Sequence, residues 1–210
     1  MGEFMIPVLL ADDETLIRAA LATMLGLEAD LEVVAHVGSG EELLALWRRR
    51  AEQDAPVAVA VIDLQMPGID GIDTAVELQR ITPGAGTLIV TSHGRPGYLK
   101  RALAAGVRGF LPKTTSAATL AEVIRTVHQG GRYVDPELAA EAISAGDTVL
   151  TAREADVLEF AADGASVEDI AKRAHLSPGT TRNYLSSAMS KLGVANRYEA
   201  ALKAREKGWI

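Results

Sequence analysis

Five polar residues that could take part in acid, metal or phosphate chemistry each follow or close a short apolar run of the chain. Asp12 and Asp13 come after the run at residues 6–11, and Asp63 comes after the run at residues 57–62. Thr91 closes the run that begins at residue 87, and Lys113 follows the run at residues 109–112. Runs of this length and composition are typical of buried β-strands. Because the carboxyl ends of parallel strands share one edge of a sheet, these side chains are expected to converge there.

The chemistry of such a group follows from its residue types. Carboxylates that are brought together repel one another unless a cation joins them, and Mg²⁺ prefers oxygen ligands. If Asp12 and Asp13 hold such an ion, Asp63 is free to act as a nucleophile toward a phosphate. Lys113 offers an ammonium to one phosphoryl oxygen, and the Thr91 hydroxyl can donate a hydrogen bond to another. The pattern predicts an aspartate that accepts a phosphoryl group.

A purely structural interpretation exists for each residue taken alone. An aspartate after a strand commonly caps a helix or forms a turn, and a lysine is usually a solvated surface charge. The conjunction of all five residues favours the chemical interpretation. A turn-rich loop, residues 66–71, also follows Asp63 at the expected edge of the sheet.

Strand patterns alternate with helix patterns through the first part of the chain, which predicts an α/β fold with a doubly wound, five-stranded parallel sheet of the flavodoxin-like type. A small all-α domain is expected to follow it. The helices predicted between the strands are Glu14–Leu25, Gly40–Arg50, Ile72–Arg80, Gly97–Ala105 and Ala117–Gln129.

Residues 5–131 resemble the receiver domain of two-component response regulators. The motifs that carry the resemblance are Asp12-Asp13, Asp63 with Met66-Pro67-Gly68, Thr91-Ser92, and Phe110 with Lys113.

The resemblance implies that a sensor histidine kinase transfers a phosphoryl group to Asp63 and that Lys113 contacts the phosphate. It also implies that Mg²⁺ is held by Asp12, Asp13, Asp63 and the backbone carbonyl of Gln65, and that Thr91 and Phe110 form the conformational switch. Family members often have tyrosine at the Phe110 position, and Pro112 before Lys113 is unusual. Pro112 restricts the backbone of the preceding residue and removes one donor.

The last part of the chain has the pattern of a helix-turn-helix. After a linker at residues 132–148, Thr151 and Glu154 form a capping box that begins one helix. Ser166 begins a second short helix, and Pro178 begins a third that runs to Leu192. The third helix would place its N-terminal residues in the major groove of DNA.

Residues 149–210 resemble the LuxR-type DNA-binding domain of the NarL/FixJ branch of response regulators. The resemblance rests on Leu150–Glu154, Ile170-Ala171, Leu176-Ser177, Thr180–Tyr184, Lys191–Val194 and Asn196-Arg197. The residues expected to contact double-stranded promoter DNA are Thr180, Thr181, Arg182, Asn183 and Lys191. For Thr181, packing inside the domain is an equally good interpretation.

The combined expectation is a transcription factor that forms a homodimer when Asp63 is phosphorylated. The resemblance implies dimer surfaces on Glu14–Leu25, Ala117–Gln129 and Asn196–Lys207. One alternative is a DNA-binding regulator whose receiver dimerises without phosphate. An aspartyl enzyme is disfavoured, because Gln65 stands where a second acid would serve as acid/base.

Composition is consistent with this expectation. Residues 151–210 carry nine Lys and Arg against eight Asp and Glu, so the acidic excess of the chain lies in the first 150 residues. The range 177–191 contains Arg182 and Lys191 and no acid, which gives one helix a locally positive face.

The chain has no cysteine, which excludes disulfides and thiolate sites. No membrane span or signal segment is predicted, and a cytoplasmic location is expected.

Overall fold

The computed structural model describes residues 5–92, 94–144, 148–162, 164–207 and 209–210. Three residues of the predicted linker, 145–147, lie outside the described residues. The described chain forms two compact units. The first contains the chain up to Gly94 together with Arg101–Asp135, and the second contains Arg95–Lys100 together with Pro136–Ile210.

The first unit is built on a parallel sheet whose strand order is β2-β1-β3-β4-β5-β6. This order confirms the predicted doubly wound α/β fold, with six strands among the described residues rather than five. The strands are β1 (Ile6–Ala11), β2 (Leu31–Val37), β3 (Val59–Asp63), β4 (Gly86–Thr91), β5 (Gly109–Pro112) and β6 (Tyr133–Val134).

The central strands β3 and β4 are buried along their whole length. A strand that is covered by helices on both faces must be apolar on both faces, and this explains the uninterrupted aliphatic runs. Side chains of β1, β3, β4 and the helix at residues 117–128 form one continuous core. The carboxyl ends of β1, β3 and β4 are thereby fixed beside one another at one edge.

Helices follow the first five strands, and polar caps begin several of them. Ser39, Asp70 and Ser116 each accept a hydrogen bond from a backbone N–H of the first helical turn. The helices are α1 (Thr15–Leu25), α2 (Gly40–Glu52), α3 (Gly71–Ile81), α4 (Pro96–Ala104) and α5 (Ala117–His128).

The strand β6 was not predicted, because Tyr133 and Val134 were assigned to the linker. These two residues pair in parallel with Gly109 and Phe110 of β5. The backbone N–H of Asp135 also donates to the Phe110 carbonyl oxygen at 3.0 Å. The first unit therefore continues to Asp135 rather than ending at residue 131.

The second unit contains a short helix, α6 (Pro136–Ser144), followed by the four helices of the predicted DNA-binding region. These are α7 (Ala152–Ala162), α8 (Val167–Arg173), α9 (Pro178–Leu192) and α10 (Arg197–Glu206). The predicted capping box is present, since Glu154 N–H donates to Thr151 Oγ1 and Thr151 N–H donates to the Glu154 carboxylate. A separate apolar core joins the four helices.

A buried ion-pair network lies around Asp156 of α7 in the second unit. Asp156 has no exposed surface, and its carboxylate accepts hydrogen bonds from the Arg95 guanidinium and the Tyr98 hydroxyl. Arg95 also pairs with Glu159. A buried carboxylate is tolerated only when its charge is compensated and its lone pairs are used, and both conditions are met here.

Among the described residues, none of the helices combines the length and the apolar character that crossing a membrane requires.

Candidate functional site

The carboxyl edge of the sheet brings together the acids and the lysine that were predicted from the sequence. Asp12 has no exposed surface, and Asp63 is 4% exposed. The ammonium of Lys113 lies 2.9 Å from Asp12 Oδ2 and 3.1 Å from Asp63 Oδ2. It also lies 2.9 Å from Glu14 Oε1. Residues at the ends of β1, β3 and β5 thus form one charged cluster, in which Asp12 and Asp63 are buried and Glu14 is exposed.

Burial and charge shift the titration of this cluster. Burial raises the pKa of Asp63 to about 7; the charges of Asp12 and Asp13 act in the same direction, and Lys113 opposes them. Burial also raises the pKa of Asp12. For Lys113, burial alone would lower the pKa, but the facing carboxylates outweigh it and raise the pKa. The cluster therefore holds more negative charge than one ammonium can neutralise.

The donor set at this edge fits a hard divalent cation. Asp12, Glu14 and Asp63 each offer a carboxylate oxygen, and these oxygens lie within 4.8 Å of one another. Oxygen donors and an excess of negative charge are what Mg²⁺ requires. Glu14 was not predicted, although it directly follows the acid pair, and its position as a third consecutive acid was the available signal. The Asp13 carboxylate is not in this oxygen group, though its charge reaches Asp63.

Thr91 and Phe110 lie beside the cluster, on the two strands that follow β3 in the sheet. Thr91 ends β4 and is almost completely buried, and Phe110 of β5 has no exposed surface. The backbone of Lys113 is fixed to β4, because its N–H donates to the Thr91 carbonyl oxygen at 2.7 Å. The structure thus places the predicted switch residues on strands that adjoin Asp63 and Lys113.

Two side chains hold the loop between β3 and α3, which leads away from Asp63. Glu41 of α2 accepts a hydrogen bond from Ile69 N–H at 3.1 Å. Arg101 of α4 donates to Asp70 Oδ2 at 2.7 Å and also pairs with Asp73. The loop is therefore anchored to α2 on one side and to α4 on the other.

Gly71 is required beside Asp63 because no side chain fits there. A Cβ at this position would lie 2.2 Å from the carbonyl oxygen of Asp63. Since that atom is backbone, Gly71→Ala must displace the peptide of Asp63 itself. We expect the variant to lose about 1–3 kcal/mol of unfolding free energy and to accept phosphoryl groups more slowly, as measured by urea denaturation and phosphorylation rate.

Gly38→Ala is the matched control for this substitution, because a Cβ at Gly38 would meet only the Arg18 side chain, at an ordinary 3.5 Å. Equal behaviour of the two alanine variants would contradict the steric argument.

The recognition helix α9 has the predicted bounds, and its N-terminal residues differ in exposure. Ser177 caps the helix by accepting from Thr180 N–H. Arg182 and Asn183 are exposed, and Thr180 is half-buried. Arg182 is paired with Glu168 of α8 at 3.3 Å, with both side chains largely exposed. A surface ion pair of this kind contributes little to stability, so Arg182 can be released from Glu168 at little cost.

The prediction that Thr181 contacts DNA is wrong for this conformation. Its side chain has no exposed surface, and its hydroxyl donates to the Ser177 carbonyl oxygen at 3.0 Å. The residue faces the domain core because it lies on the same side of α9 as Leu185 and Ala188, which are also buried. Packing, the alternative interpretation, is therefore the correct one.

Lys191 also has a protein partner. Its ammonium lies 2.7 Å from Glu154 Oε2, and its side chain is 37% exposed while that of Glu154 is 4% exposed. Two hydroxyls that were not predicted, those of Ser186 and Ser190, lie on exposed positions of the same helix. Their spacing from Arg182, four and eight residues, places all three on one stripe.

Two family models match the chain. The response regulator receiver domain matches residues 8–125, and the bacterial regulatory proteins of the luxR family match residues 148–204. The first covers most of β1, the strands β2 to β5 and the acidic cluster, and the second covers helices α7 to α9 and most of α10.

Curated relatives match over nearly the whole length. The chain is 38% identical over 206 residues to the transcriptional regulatory protein DesR of Bacillus subtilis (98% of this chain, 100% of the relative). It is 39% identical over 205 residues to the transcriptional regulatory protein UhpA of Escherichia coli, with the same coverage.

Solved structures agree with the curated relatives. The response regulator ChrA of a heme-sensing two-component system is 30% identical, with a TM-score of 0.57 over 99% of this chain and 100% of that one. The response regulator RcsB in complex with DNA is 26% identical, with a TM-score of 0.59 over 97% and 98% of the two chains. With both domain models matched in this order, the chain belongs to the two-component response regulators that combine a receiver with a LuxR-family DNA-binding domain and regulate transcription.

Proposed function

We propose that Asp63 is the residue that accepts the phosphoryl group from a sensor histidine kinase, and that its phosphorylation promotes dimerisation and promoter binding. One observation carries this proposal: the Lys113 ammonium lies about 3 Å from both Asp63 and Asp12 inside a buried acidic cluster.

In the transfer step, a carboxylate oxygen of Asp63 attacks the phosphorus of a phosphohistidine. The new O–P bond forms as the N–P bond breaks, and the imidazole leaves with the electron pair and takes up a proton. Lys113 then contacts an oxygen of the phosphoryl group, and the Thr91 hydroxyl donates to another. These contacts stabilise charge that grows on the phosphoryl oxygens during the transfer.

The cation proposed for this site is Mg²⁺. Asp12, Asp13, Asp63 and the Gln65 carbonyl are its expected ligands, and the oxygen group formed by Asp12, Glu14 and Asp63 supports a cation here. When bound, the ion neutralises the carboxylates and the incoming phosphate.

Two exposed apolar surfaces support a dimer as the active form. On α1, Leu16 is 83% exposed, and Met24 is also exposed; Leu27, just beyond the helix, is 81% exposed. On α10, Tyr198 and Leu202 are exposed one turn apart. Apolar side chains grouped on one face mark a surface that associates with another protein. A symmetric dimer would present two copies of α9 to two half-sites of a promoter.

The test is the oligomeric state, measured by light scattering with and without magnesium and beryllofluoride, which mimics an aspartyl phosphate. Wild type is expected to change from monomer to dimer only when both are added. Asp63→Ala is expected to stay monomeric under every condition. A dimer that forms equally in Asp63→Ala would instead support the alternative, a regulator whose receiver dimerises without phosphate.

Leu16→Glu separates the two steps of the proposal. The exposed side chain of Leu16 contributes nothing to the acidic cluster, so the variant should still accept a phosphoryl group from acetyl phosphate but remain a monomer. Normal dimerisation of this variant would show that α1 is not part of the dimer surface.

A further inference from the structure

The buried carboxylate of Glu154 joins the beginning of α7 to the recognition helix. Its Oε1 accepts a hydrogen bond from the Ser187 hydroxyl at 2.6 Å. Its Oε2 accepts from the Lys191 ammonium at 2.7 Å and from Thr151 N–H at 2.6 Å. One side chain thus uses both oxygens to connect two helices.

The surroundings keep Glu154 ionised. Burial acts to raise its pKa, but the hydrogen bonds from Lys191, Ser187 and Thr151 outweigh burial and lower the pKa. Hydrogen bonds that involve a charged group are shorter and stronger than those between neutral groups. The connection between α7 and α9 is therefore a charged one and is largely shielded from water.

The two α9 partners of Glu154 have a defined position on the helix. Ser187 and Lys191 are four residues apart, so they lie on one line along the helix surface. On one side of this line lie the buried residues Leu185, Ala188 and Leu192, and on the other lies the exposed stripe of Arg182, Ser186 and Ser190. A bond along the border between these two faces restrains rotation of the helix about its own axis.

The charge of Lys191 is already compensated where it stands. Its ammonium is bound to a carboxylate that cannot turn toward water, because the Glu154 side chain is 4% exposed. Arg182 differs, since its partner Glu168 is an exposed side chain that can be released at little cost. Breaking the Lys191 pair would leave the buried carboxylate without a cation, which is unfavourable.

We propose that Glu154 is a positioning residue that fixes the rotation of the recognition helix through Ser187 and Lys191, and that Lys191 contributes to DNA recognition through Glu154 rather than by contacting a phosphate. This goes beyond the proposed function and replaces the expectation from the sequence that Lys191 contacts DNA, and it rests on the DNA binding of the family. Recognition of a specific sequence depends on which stripe of α9 faces the bases. The electrostatic attraction of the domain to a duplex of any sequence does not depend on the rotation of α9.

The test compares two duplexes of equal length. One is selected from a random-sequence pool with the wild-type chain in magnesium and beryllofluoride, and the other is a scrambled version of it. The variants are Glu154→Gln, Lys191→Met and the double variant, with Arg182→Met as the matched control. For each, the dissociation constants for both duplexes are measured at several salt concentrations.

If Glu154 positions the helix, Glu154→Gln and Lys191→Met each bind the selected duplex about tenfold more weakly than wild type does. Each should bind the scrambled duplex less than about twofold more weakly. A general loss of folded protein would weaken both duplexes equally, so the ratio of the two constants separates positioning from instability. The double variant is expected to bind no more weakly than Lys191→Met, because the two residues act as one unit.

The salt dependence distinguishes the two roles of a cation. Lys191→Met should keep the wild-type slope of log K against log salt, whereas Arg182→Met should reduce its magnitude by about one. A reduction of about one in Lys191→Met would overturn the proposal, as would wild-type discrimination by Glu154→Gln.

If Glu154→Gln does not fold, Ser187→Ala removes one bond to the same carboxylate, and unchanged discrimination in that variant overturns the proposal. Failure of the wild type itself to select any duplex would contradict DNA binding and not the role of Glu154.

Discussion

Asp63→Asn is expected to abolish the transfer of a phosphoryl group from acetyl phosphate to the protein, lowering its rate by at least about a thousandfold. The amide has the size of the carboxylate but lacks the charge and the nucleophilic oxygen. The measurement is the intact mass of the protein after incubation with acetyl phosphate and magnesium. Treatment with hydroxylamine, which cleaves acyl phosphates, should return the wild-type mass to its starting value.

Asp54→Asn is the matched control for this experiment. Asp54 is exposed and has a positive φ of 53°, a backbone conformation that asparagine also adopts readily. The control should gain the phosphoryl group as wild type does. Labelling of Asp63→Asn at the wild-type rate would place the acceptor elsewhere in the chain.

Without magnesium, the same Asp63→Asn substitution is expected to stabilise the protein at alkaline pH. In the unfolded chain the carboxyl ionises near the ordinary value of 3.8, whereas burial raises the pKa of Asp63 in the folded protein to about 7. Between these values the folded state holds a proton that the unfolded state has lost. Stability therefore falls as the pH rises from about 4 to 7 and stays low above it.

Asparagine carries no such penalty. The variant should exceed wild type by about 2–4 kcal/mol of unfolding free energy at pH 8 and by less at pH 5. Urea denaturation in the presence of a chelator at both pH values gives this difference. Added magnesium should reduce it at pH 8, because a cation offsets the repulsion among the carboxylates. A difference that is the same at both pH values would show that Asp63 is not forced toward its neutral form.

Local patterns in the sequence were enough to predict the elements that local chemistry determines. Helix α9 begins at Pro178 after the Ser177 cap and ends before Gly193, whose φ of 64° favours glycine, and its predicted bounds are those of the structure. The doubly wound parallel sheet likewise follows from alternating strand and helix patterns. Asp63 and Lys113 could be predicted to meet because the fold class places all the strand ends at one edge.

Features that depend on distant packing could not be predicted in the same way. The side of α9 that faces the core is set by contacts with the helices around it, so Thr181 could not be assigned from its position near the helix start. Glu14 directly follows the acid pair, which was a signal in the sequence, but its contact with the cluster is made through Lys113, which lies 99 residues further along the chain. The strand β6 has two residues, too few to form a pattern, and its pairing with β5 is what defines it.

That short strand determines where the chain can be divided. A receiver cut at Gly131 would lose Tyr133 and Val134, and β5 would become the outer strand with unpaired backbone groups beside Phe110. Open strand edges of this kind pair with neighbouring molecules and promote aggregation. A fragment that ends at Asp135 keeps that edge covered and retains the hydrogen bond to the Phe110 carbonyl oxygen. The four residues 132–135, which look like linker in the sequence, therefore decide how an isolated receiver behaves. A fragment that includes them is suited to isolation, and a fragment that lacks them is prone to self-association.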